Sequence, residues 1–178
     1  QKTKVFTVAA ETGSGKTWSY LAPLLSKLKL DDMEFWKSDP EGYDNTRKKG
    51  QFVKSVILLP TNELVDQVYE TLQRANSFEL DHKGAPGNFT LFLELPENKT
   101  MNITTMKLGQ GEAPVRLFRQ LETKGPIDVL ITTPGKIVAF SKLVNINRPF
   151  RVFANVKYCV LDEADTLFDD SFEKYTTD

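Results

Sequence analysis

The stretch "AAETGSGKTW", residues 9–18, decides how the rest of the chain is interpreted. Its small residues 13–15 can turn backbone N–H groups inward at the positive end of a helix, where phosphate oxygens bind. Lys16 and Thr17 follow, and an ammonium with a hydroxyl suits the phosphates and the Mg²⁺ of a nucleoside triphosphate. The usual pattern begins with Gly, and here Ala10 holds that position. The stretch favours a phosphate-binding loop over a surface turn.

Apolar runs and helical patterns alternate along the chain. Strands are predicted at residues 5–9, 53–59, 89–95, 103–107, 128–132 and 156–161. Helices are predicted from Lys16 onward and at residues 62–75, 115–121 and 137–143. This alternation predicts an α/β domain with a mostly parallel sheet and helices on both faces.

Composition narrows the classes of function. The 178 residues suffice for one domain, and a net charge of −1 argues against a generally basic nucleic-acid binder. Any nucleic-acid contact must therefore be local or made by backbone amides. The single cysteine, Cys159, excludes an internal disulfide and a cysteine zinc site, and its apolar run predicts a buried small side chain. No apolar stretch approaches membrane-spanning length.

Residues 31–51 interrupt the pattern. The segment "DDMEFWKSDPEGYDNTRKKGQ" is polar, rich in turn residues and thinly apolar. It is predicted to be a poorly ordered surface insertion.

An acidic segment follows the last predicted strand. In "VLDEAD", residues 160–165, Asp162 is placed to hold Mg²⁺ through water, and Glu163 to orient and deprotonate an attacking water. The alternative is an acidic helix N-terminus that only complements the helix dipole. The glycine-rich loop and this segment together favour ATP hydrolysis.

Four short motifs give the chain a resemblance to a known family. "AETGSGKT" (10–17), "PTNEL" (60–64), "TPGK" (133–136) and "DEAD" (162–165) occur in the order found in DEAD-box RNA helicases. The resemblance implies the first RecA-like domain of a P-loop NTPase, covering residues 1–178. It further implies ATP and Mg²⁺ as ligands and single-stranded RNA lying across the strand ends.

The resemblance also assigns roles to residues. Catalysis would involve Lys16, Asp162 and Glu163, and Mg²⁺ would be held by Thr17 and Asp162, largely through water. ATP would contact Glu11, Thr12, Gly13, Ser14, Gly15, Lys16 and Thr17. The RNA sugar–phosphate backbone would contact Pro60, Thr61, Asn62, Glu63, Gly109, Thr133, Pro134, Gly135 and Lys136. Asp165 would couple this domain to the second one.

Three departures from the family pattern affect the RNA side. Asn62 stands where the family usually has Arg, and Lys136 replaces an Arg, which keeps the charge but loses the planar fork. "LGQGE" (108–112) matches the family's Gly-Gly pair only in part. RNA binding is therefore expected to be weaker or differently placed.

The resemblance implies parts that residues 1–178 do not include. These are an adenine-reading glutamine motif before Gln1, a Ser-Ala-Thr motif after Asp178 and a second RecA-like domain. Residues 1–178 alone are expected to be monomeric, to bind nucleotide weakly and to hydrolyse it very slowly.

Three functions remain open from the residues. The first is RNA-stimulated ATP hydrolysis that remodels RNA duplexes or ribonucleoproteins, the second an ATP-gated RNA clamp, and the third a DNA translocase. The divergent motifs also resemble fungal mitochondrial DEAD-box proteins, which implies the mitochondrial matrix and ribosomal partners in large-subunit assembly. The sequence does not identify the natural RNA.

Overall fold

The computed structural model describes residues 4–11, 13, 15–77, 103–143 and 152–169. The described strands are β1 (Val53–Leu58), β2 (Thr105–Leu108), β3 (Ile127–Thr132) and β4 (Tyr158–Leu161). The described helices are α1 (Lys16–Ser38), α2 (Pro40–Lys49), α3 (Asn62–Ser77), α4 (Val115–Lys124), α5 (Pro134–Leu143) and α6 (Ala164–Leu167). The predicted strand at 89–95 lies outside the described residues.

The four strands form one parallel sheet in the order β2-β3-β1-β4. Ser55 of β1 lies opposite Val129 of β3 on one side and Tyr158 of β4 on the other. All residues of the central strand β3 are buried, whereas β4 alternates between half-buried and exposed. The predicted parallel α/β sheet is confirmed.

Helices cover both faces of this sheet. On one face, the apolar stripes of α1 and α3, with Leu24 and Leu72, pack against Val129 and Ile131 of β3. On the other face, α4 and α5 pack against Leu130, and Phe118 meets Phe140 with ring centroids 4.8 Å apart. Both faces of the parallel strands are thus covered, as their nearly continuous apolar sequences predict.

The predicted strand at residues 5–9 is wrong. Residues 4–11 have no secondary structure, and Val5, Phe6 and Val8 are 83%, 84% and 62% exposed. β-Branched and aromatic side chains favour a strand only where they can pack against neighbours. Here no described strand pairs with this segment. The glycine-rich turn is therefore preceded by irregular backbone and not by a strand.

The prediction of a turn-rich, poorly ordered segment at residues 31–51 is also wrong. Helix α1 continues through the first part of it, and α2 occupies most of the remainder. Asp39 begins α2 by accepting a hydrogen bond from Gly42 N at 2.9 Å, and Pro40 takes the first helical position. Tyr43 is buried and packs edge-on against Phe35, with centroids 5.8 Å apart.

Four charged residues, here called the basal cluster, fix this helical pair to the sheet. They are Asp32, Arg47, Lys54 and Asp128. Lys54 and Asp128 lie near the amino ends of β1 and β3. Asp128 is fully buried and lies 2.7 Å from Arg47 Nη1 and 2.9 Å from Lys54 Nζ. Its second oxygen accepts from Thr104 N at 2.7 Å.

Charged residues of the segment 31–51 therefore form buried ion pairs. The polarity of the sequence alone does not distinguish such residues from exposed ones. Lys54 also pairs with Asp32, which is 5% exposed. Each buried charge thus has an opposite partner, as burial of charge requires.

Strand β4, at the edge of the sheet that the described residues form, differs from the prediction in the exposure of one residue. Cys159 is exposed instead of buried. It shares a strand face with Leu161, which is 40% exposed. Within the described part of the chain, no helix combines the length and apolar character needed to span a membrane.

We expect Asp128→Ala to lower the free energy of unfolding by about 3–5 kcal/mol, because Arg47 and Lys54 would lose their buried carboxylate. The measurement is urea denaturation followed by circular dichroism. Glu122→Ala, at an exposed position of α4, is the matched control and should change stability by no more than about 0.5 kcal/mol. Equal effects of the two substitutions would contradict the role of the cluster.

Candidate functional site

The glycine-rich turn has the backbone conformation that the motif requires. Gly13 and Gly15 have φ values of 82° and 85°, a region that side chains other than Gly rarely adopt. A Cβ at either position would meet open space, so the backbone itself and not crowding demands glycine. Helix α1 begins at Lys16, immediately after the turn. Thr12 and Ser14 lie outside the described residues, and Glu11 lies in the exposed segment before the turn.

Lys16 contacts the acidic segment directly. Its Nζ lies 3.0 Å from Glu163 Oε1, although 147 positions separate the two residues in sequence. The hydrogen bond to Glu163 raises the pKa of Lys16, and the nearby Asp162 and Asp165 charges act in the same direction. The structure therefore brings the cation of the loop and the carboxylates of "DEAD" into one site.

Asp162 is held by a residue that sequence reasoning did not assign to the site. Tyr20 Oη, one turn after Lys16 on α1, donates to Asp162 Oδ2 at 2.8 Å. Burial raises the pKa of Tyr20, and the hydrogen bond to Asp162 raises it further, so this tyrosine remains a donor. A polar side chain one helical turn after the loop lysine was the available signal.

The backbone at Glu163 is strained. Glu163 has φ 52° and ψ 49°, and it is the only non-glycine residue with positive φ among the described residues. Its N–H donates to Asp162 Oδ1 at 3.0 Å. Such strain is found where a side chain is held in a functional orientation, and here it accompanies the contact of Glu163 with Lys16.

These groups surround a cavity of about 380 Å³. The turn, the start of α1, the first turns of α3 and the acidic segment line it. Trp18, which is 47% exposed, and Gln67 of α3 belong to the lining, and sequence reasoning assigned neither to the site. The cavity thus joins the loop, the acidic segment and α3, the helix that begins within "PTNEL".

The oxygen donors of this cavity suit Mg²⁺, which needs few protein ligands, better than a metal that is bound by protein side chains alone. Within the described ranges, no group of three or more His, Cys, Asp or Glu side chains could hold a metal ion. Mg²⁺ commonly keeps several waters and binds through one or two carboxylates plus substrate phosphates. Thr17 and Asp162 line the same cavity and fit such a role.

The predicted RNA-contacting segments follow neighbouring strands at the same edge of the sheet. Pro60 lies just after β1, and Thr133 just after β3. Leu59 N donates to Thr132 O at 3.0 Å, and Asp162 N donates to Leu58 O at 3.0 Å, which joins the three strand ends. The segments 60–63 and 133–136 therefore share this edge with Asp162.

Each of these segments begins a helix. Thr61 Oγ1 accepts from Leu64 N at 3.4 Å at the start of α3, where Asn62 and Glu63 lie in the first turn. The carbonyl of Thr133 accepts from Lys136 N at 3.1 Å, and Pro134 is the first residue of α5. Gly135 is exposed, and a Cβ at this position would meet open space. Helix N-termini with small residues offer backbone N–H groups to phosphates.

Glu112 links two of the predicted RNA-contacting segments. Its Oε2 accepts from Gly109 N at 2.7 Å, and its backbone oxygen accepts from Lys136 Nζ at 2.7 Å. Gly111 has φ 73°, which the tight turn requires. The prediction missed Glu112, because an acidic residue is not an obvious part of a surface for RNA. Asp165, in the first turn of α6, is exposed.

Comparison with known proteins establishes the family. Residues 1–178 match the DEAD/DEAH box helicase family, and the chain belongs to that family.

Two curated relatives carry the name "ATP-dependent RNA helicase MRH4, mitochondrial". The one from Candida albicans (strain SC5314) is 98% identical over 178 residues, which cover 100% of this chain and 32% of that protein. The one from Lodderomyces elongisporus is 59% identical over 177 residues, covering 99% of this chain and 29% of that protein. The chain thus spans about a third of the length of these relatives.

Solved structures agree with the fold. The yeast DEAD-box splicing factor Prp28 has a TM-score of 0.60 at 22% identity, covering 94% of this chain and 30% of that chain, and this likeness shows the fold alone. A DEAD box protein from the hyperthermophile Methanococcus jannaschii has a TM-score of 0.55 at 26% identity, covering 94% of this chain and 33% of that chain. The predicted RecA-like fold is confirmed.

We expect Glu163→Gln to lower the pKa of Lys16 towards its ordinary value, because the hydrogen bond to the Glu163 carboxylate is the largest cause of the shift. Asp162→Asn should lower it less, since Asp162 acts only through its charge. The measurement is an NMR titration of the Lys16 side chain at alkaline pH.

The raised pKa of Lys16 also sets how the stability of the fold depends on pH. A raised folded-state pKa means that the pair stabilises the fold below the unfolded pKa and stops doing so as pH rises through the folded pKa. Equal Lys16 pKa values in the parent and in Glu163→Gln would contradict the contact.

Proposed function

We propose that the protein containing this chain is an ATP-dependent RNA helicase, in which residues 1–178 supply the first RecA-like domain. The observation that carries the proposal is the 3.0 Å contact between Lys16 Nζ and Glu163 Oε1. The two side chains line one cavity at the carboxyl ends of the strands, where open α/β sheets bind ligands. This supports a role for Lys16 in binding phosphate and for Glu163 in activating water. The names of the relatives support the same activity.

On the ATP side, the turn at Gly13 and Gly15 presents backbone N–H groups to the phosphates, and Lys16 exchanges Glu163 for phosphate oxygens. Mg²⁺, held by Thr17 and Asp162 largely through water, would neutralise charge developing on the phosphates. Tyr20 keeps Asp162 oriented through its 2.8 Å hydrogen bond.

Glu163, once released by Lys16, can accept the proton of the attacking water. The strained backbone at Glu163 holds its side chain in the cavity, with φ at 52°.

On the RNA side, the segments 60–63 and 133–136 and the turn at Gly109 contact the sugar–phosphate backbone. Backbone contacts position RNA without reading its base sequence, which suits a protein that acts on varied duplexes. Asp165 is exposed beside this edge and would couple the domain to the second one.

The biological setting is also a proposal. The relatives from Candida albicans and Lodderomyces elongisporus are named mitochondrial, which supports the mitochondrial matrix as the compartment. Ribosomal or other ribonucleoprotein partners, and remodelling during large-subunit assembly, are proposed with it.

An ATP-gated RNA clamp is the second candidate. The observation that favours it is the capture of Lys136 Nζ by Glu112 O at 2.7 Å, together with Asn62 in place of the family's Arg. Held in this position, Lys136 would contact the RNA backbone through a single ammonium group, without the planar guanidinium of Arg. Displacement of a strand from an RNA duplex on addition of ATP would identify a helicase. An affinity for RNA that depends on ATP, without strand displacement, would identify a clamp. Stimulation by DNA instead of RNA would identify a DNA translocase.

We expect Lys16→Ala in the full-length protein to abolish ATP hydrolysis and weaken nucleotide binding, because the phosphates lose their ammonium. Glu163→Gln should abolish hydrolysis and leave nucleotide binding intact, because it removes only the proton acceptor. RNA-stimulated phosphate release measures the first quantity and a fluorescent ATP analogue the second. Lys27→Gln, at an exposed position of α1, is the control and should hydrolyse ATP normally. Retained hydrolysis in both site variants would reject the proposal.

We expect Lys136→Gln to weaken RNA binding uniformly across sequences. The slope of log Kobs against log salt should become less steep by about 0.7, the value for one phosphate contact on a single strand. The matched control is Lys142→Gln, which removes an exposed charge from the last turn of the same helix α5. Fluorescence anisotropy with unstructured RNA over a salt series measures both, and an unchanged slope in Lys136→Gln would remove this residue from the RNA face.

A further inference from the structure

The outer side of β2 carries a second cavity, which we call the β2 groove. It has a volume of about 430 Å³ and is lined by residues of α3, β2, α4 and the turn between β2 and α4. It is separate from the cavity at Lys16, with which it shares no lining residue. None of the residues assigned to ATP or RNA above lines it.

The β2 groove is cationic in a chain that is slightly acidic overall. Four of its lining residues are cationic, namely Lys107, Arg116, Arg119 and Lys124, and one, Glu112, is acidic. The chain as a whole has a net charge of −1. A local excess of positive charge against that background is the electrostatic pattern of a surface for phosphates.

The single acidic residue of the groove is already occupied. Glu112 Oε1 lies 2.6 Å from Arg116 Nη1, and its Oε2 accepts from Gly109 N. Lys107 is likewise held, by Asp66 Oδ1 at 2.6 Å and by the ring of Tyr69, 5.3 Å from the ring centroid. Arg119 and Lys124 are exposed and form no ion pair with another described residue. They are the cations available to a ligand.

Spacing along α4 places several of these polar side chains in a row, which we call the track and which runs from Arg116 to Lys124. Arg116, Arg119 and Thr123 fall on one face of the helix at intervals of three and four residues. From Arg116 to Lys124 the helix rises roughly 12 Å, which exceeds the spacing of consecutive phosphates along one nucleic-acid strand. The opposite face of α4 is buried through Leu117 and Leu121, so the track is fixed to the core.

The track joins the proposed RNA face at Glu112. This residue lines the β2 groove, and it also holds Gly109 N and Lys136 Nζ at the carboxyl edge of the sheet. The residue Glu112 is therefore common to that edge and to the groove.

We propose that the β2 groove binds the phosphodiester backbone of the same single RNA strand that lies across the strand ends, so that the domain contacts a longer RNA than the family motifs alone explain. This inference rests on the proposed RNA-binding function. Arg119 and Lys124 supply the charges, and Gln120 can donate to a phosphate oxygen. The Thr123 hydroxyl donates its proton to Arg119 O at 2.7 Å, so it can accept from a ribose hydroxyl. Because these contacts involve no bases, they increase the length of RNA that the domain contacts without adding a sequence preference.

The test uses the full-length protein and two oligouridines, a short one that spans only the strand ends and a longer one. Arg119→Gln with Lys124→Gln should leave the affinity for the short RNA unchanged. For the long RNA, the slope of log Kobs against log salt should become less steep by about 1.4, the value for two phosphate contacts on a single strand. Ultraviolet cross-linking of the long oligouridine should label the peptide that contains α4 in the parent and not in the variant.

The matched control is Lys29→Gln with Lys37→Gln, which removes the same charge from α1. That helix belongs to the apolar cluster on the other face of the sheet from α4. The control should bind both RNAs as the parent does, and an equal loss in both double variants would overturn the inference in favour of a general charge effect.

Two further outcomes separate this inference from the proposed function. An unchanged slope for the long RNA, with Lys136→Gln still weakening both RNAs, would overturn the β2 groove alone; an acidic protein as its occupant would give this result. Absence of ATP-dependent binding of the parent to either RNA would overturn the proposed function and this inference with it.

Discussion

The arrangement of the site depends on one ion pair, between Lys16 at the start of α1 and Glu163 after β4. The two residues stand close together because β1 and β4 are parallel neighbours and α1 packs across the same sheet face. In a parallel sheet all strands end at one edge, so the loops that follow them meet there. The pair joins the start of α1 to the Glu163 carboxylate. Tyr20 adds a second link, between the same helix and Asp162.

Sequence reasoning succeeded where side-chain periodicity and sheet geometry determine the outcome. The meeting of Lys16 with the acidic segment was predicted from the pairing of the glycine-rich loop with "DEAD". The apolar run of β3 and the helical stripe of α3 were predicted because each depends on spacing along the chain. Those features need no knowledge of what lies across the sheet.

It failed where a residue's environment is set by distant parts of the chain. The run at 5–9 has the composition of a strand, yet Phe6 is exposed and no described strand pairs with it. Residues 31–51 read as a polar insertion, yet Arg47 reaches Asp128, 81 positions away in sequence. Cys159 sits in an apolar run but on an edge strand. The role of Tyr20 was missed for the same reason, since its partner Asp162 is 142 positions away in sequence.

Helix α1 connects the two polar centres of the domain, with Lys16 at its first turn and Asp32 of the basal cluster near its other end. Pro23 lies between them and cannot donate to the carbonyl of Ser19, so the helix lacks one internal hydrogen bond at that point. Bending is easiest where a helix lacks such a bond. The missing bond lies between the half of α1 that the basal cluster fixes to the sheet and the turn that carries Lys16 and Tyr20.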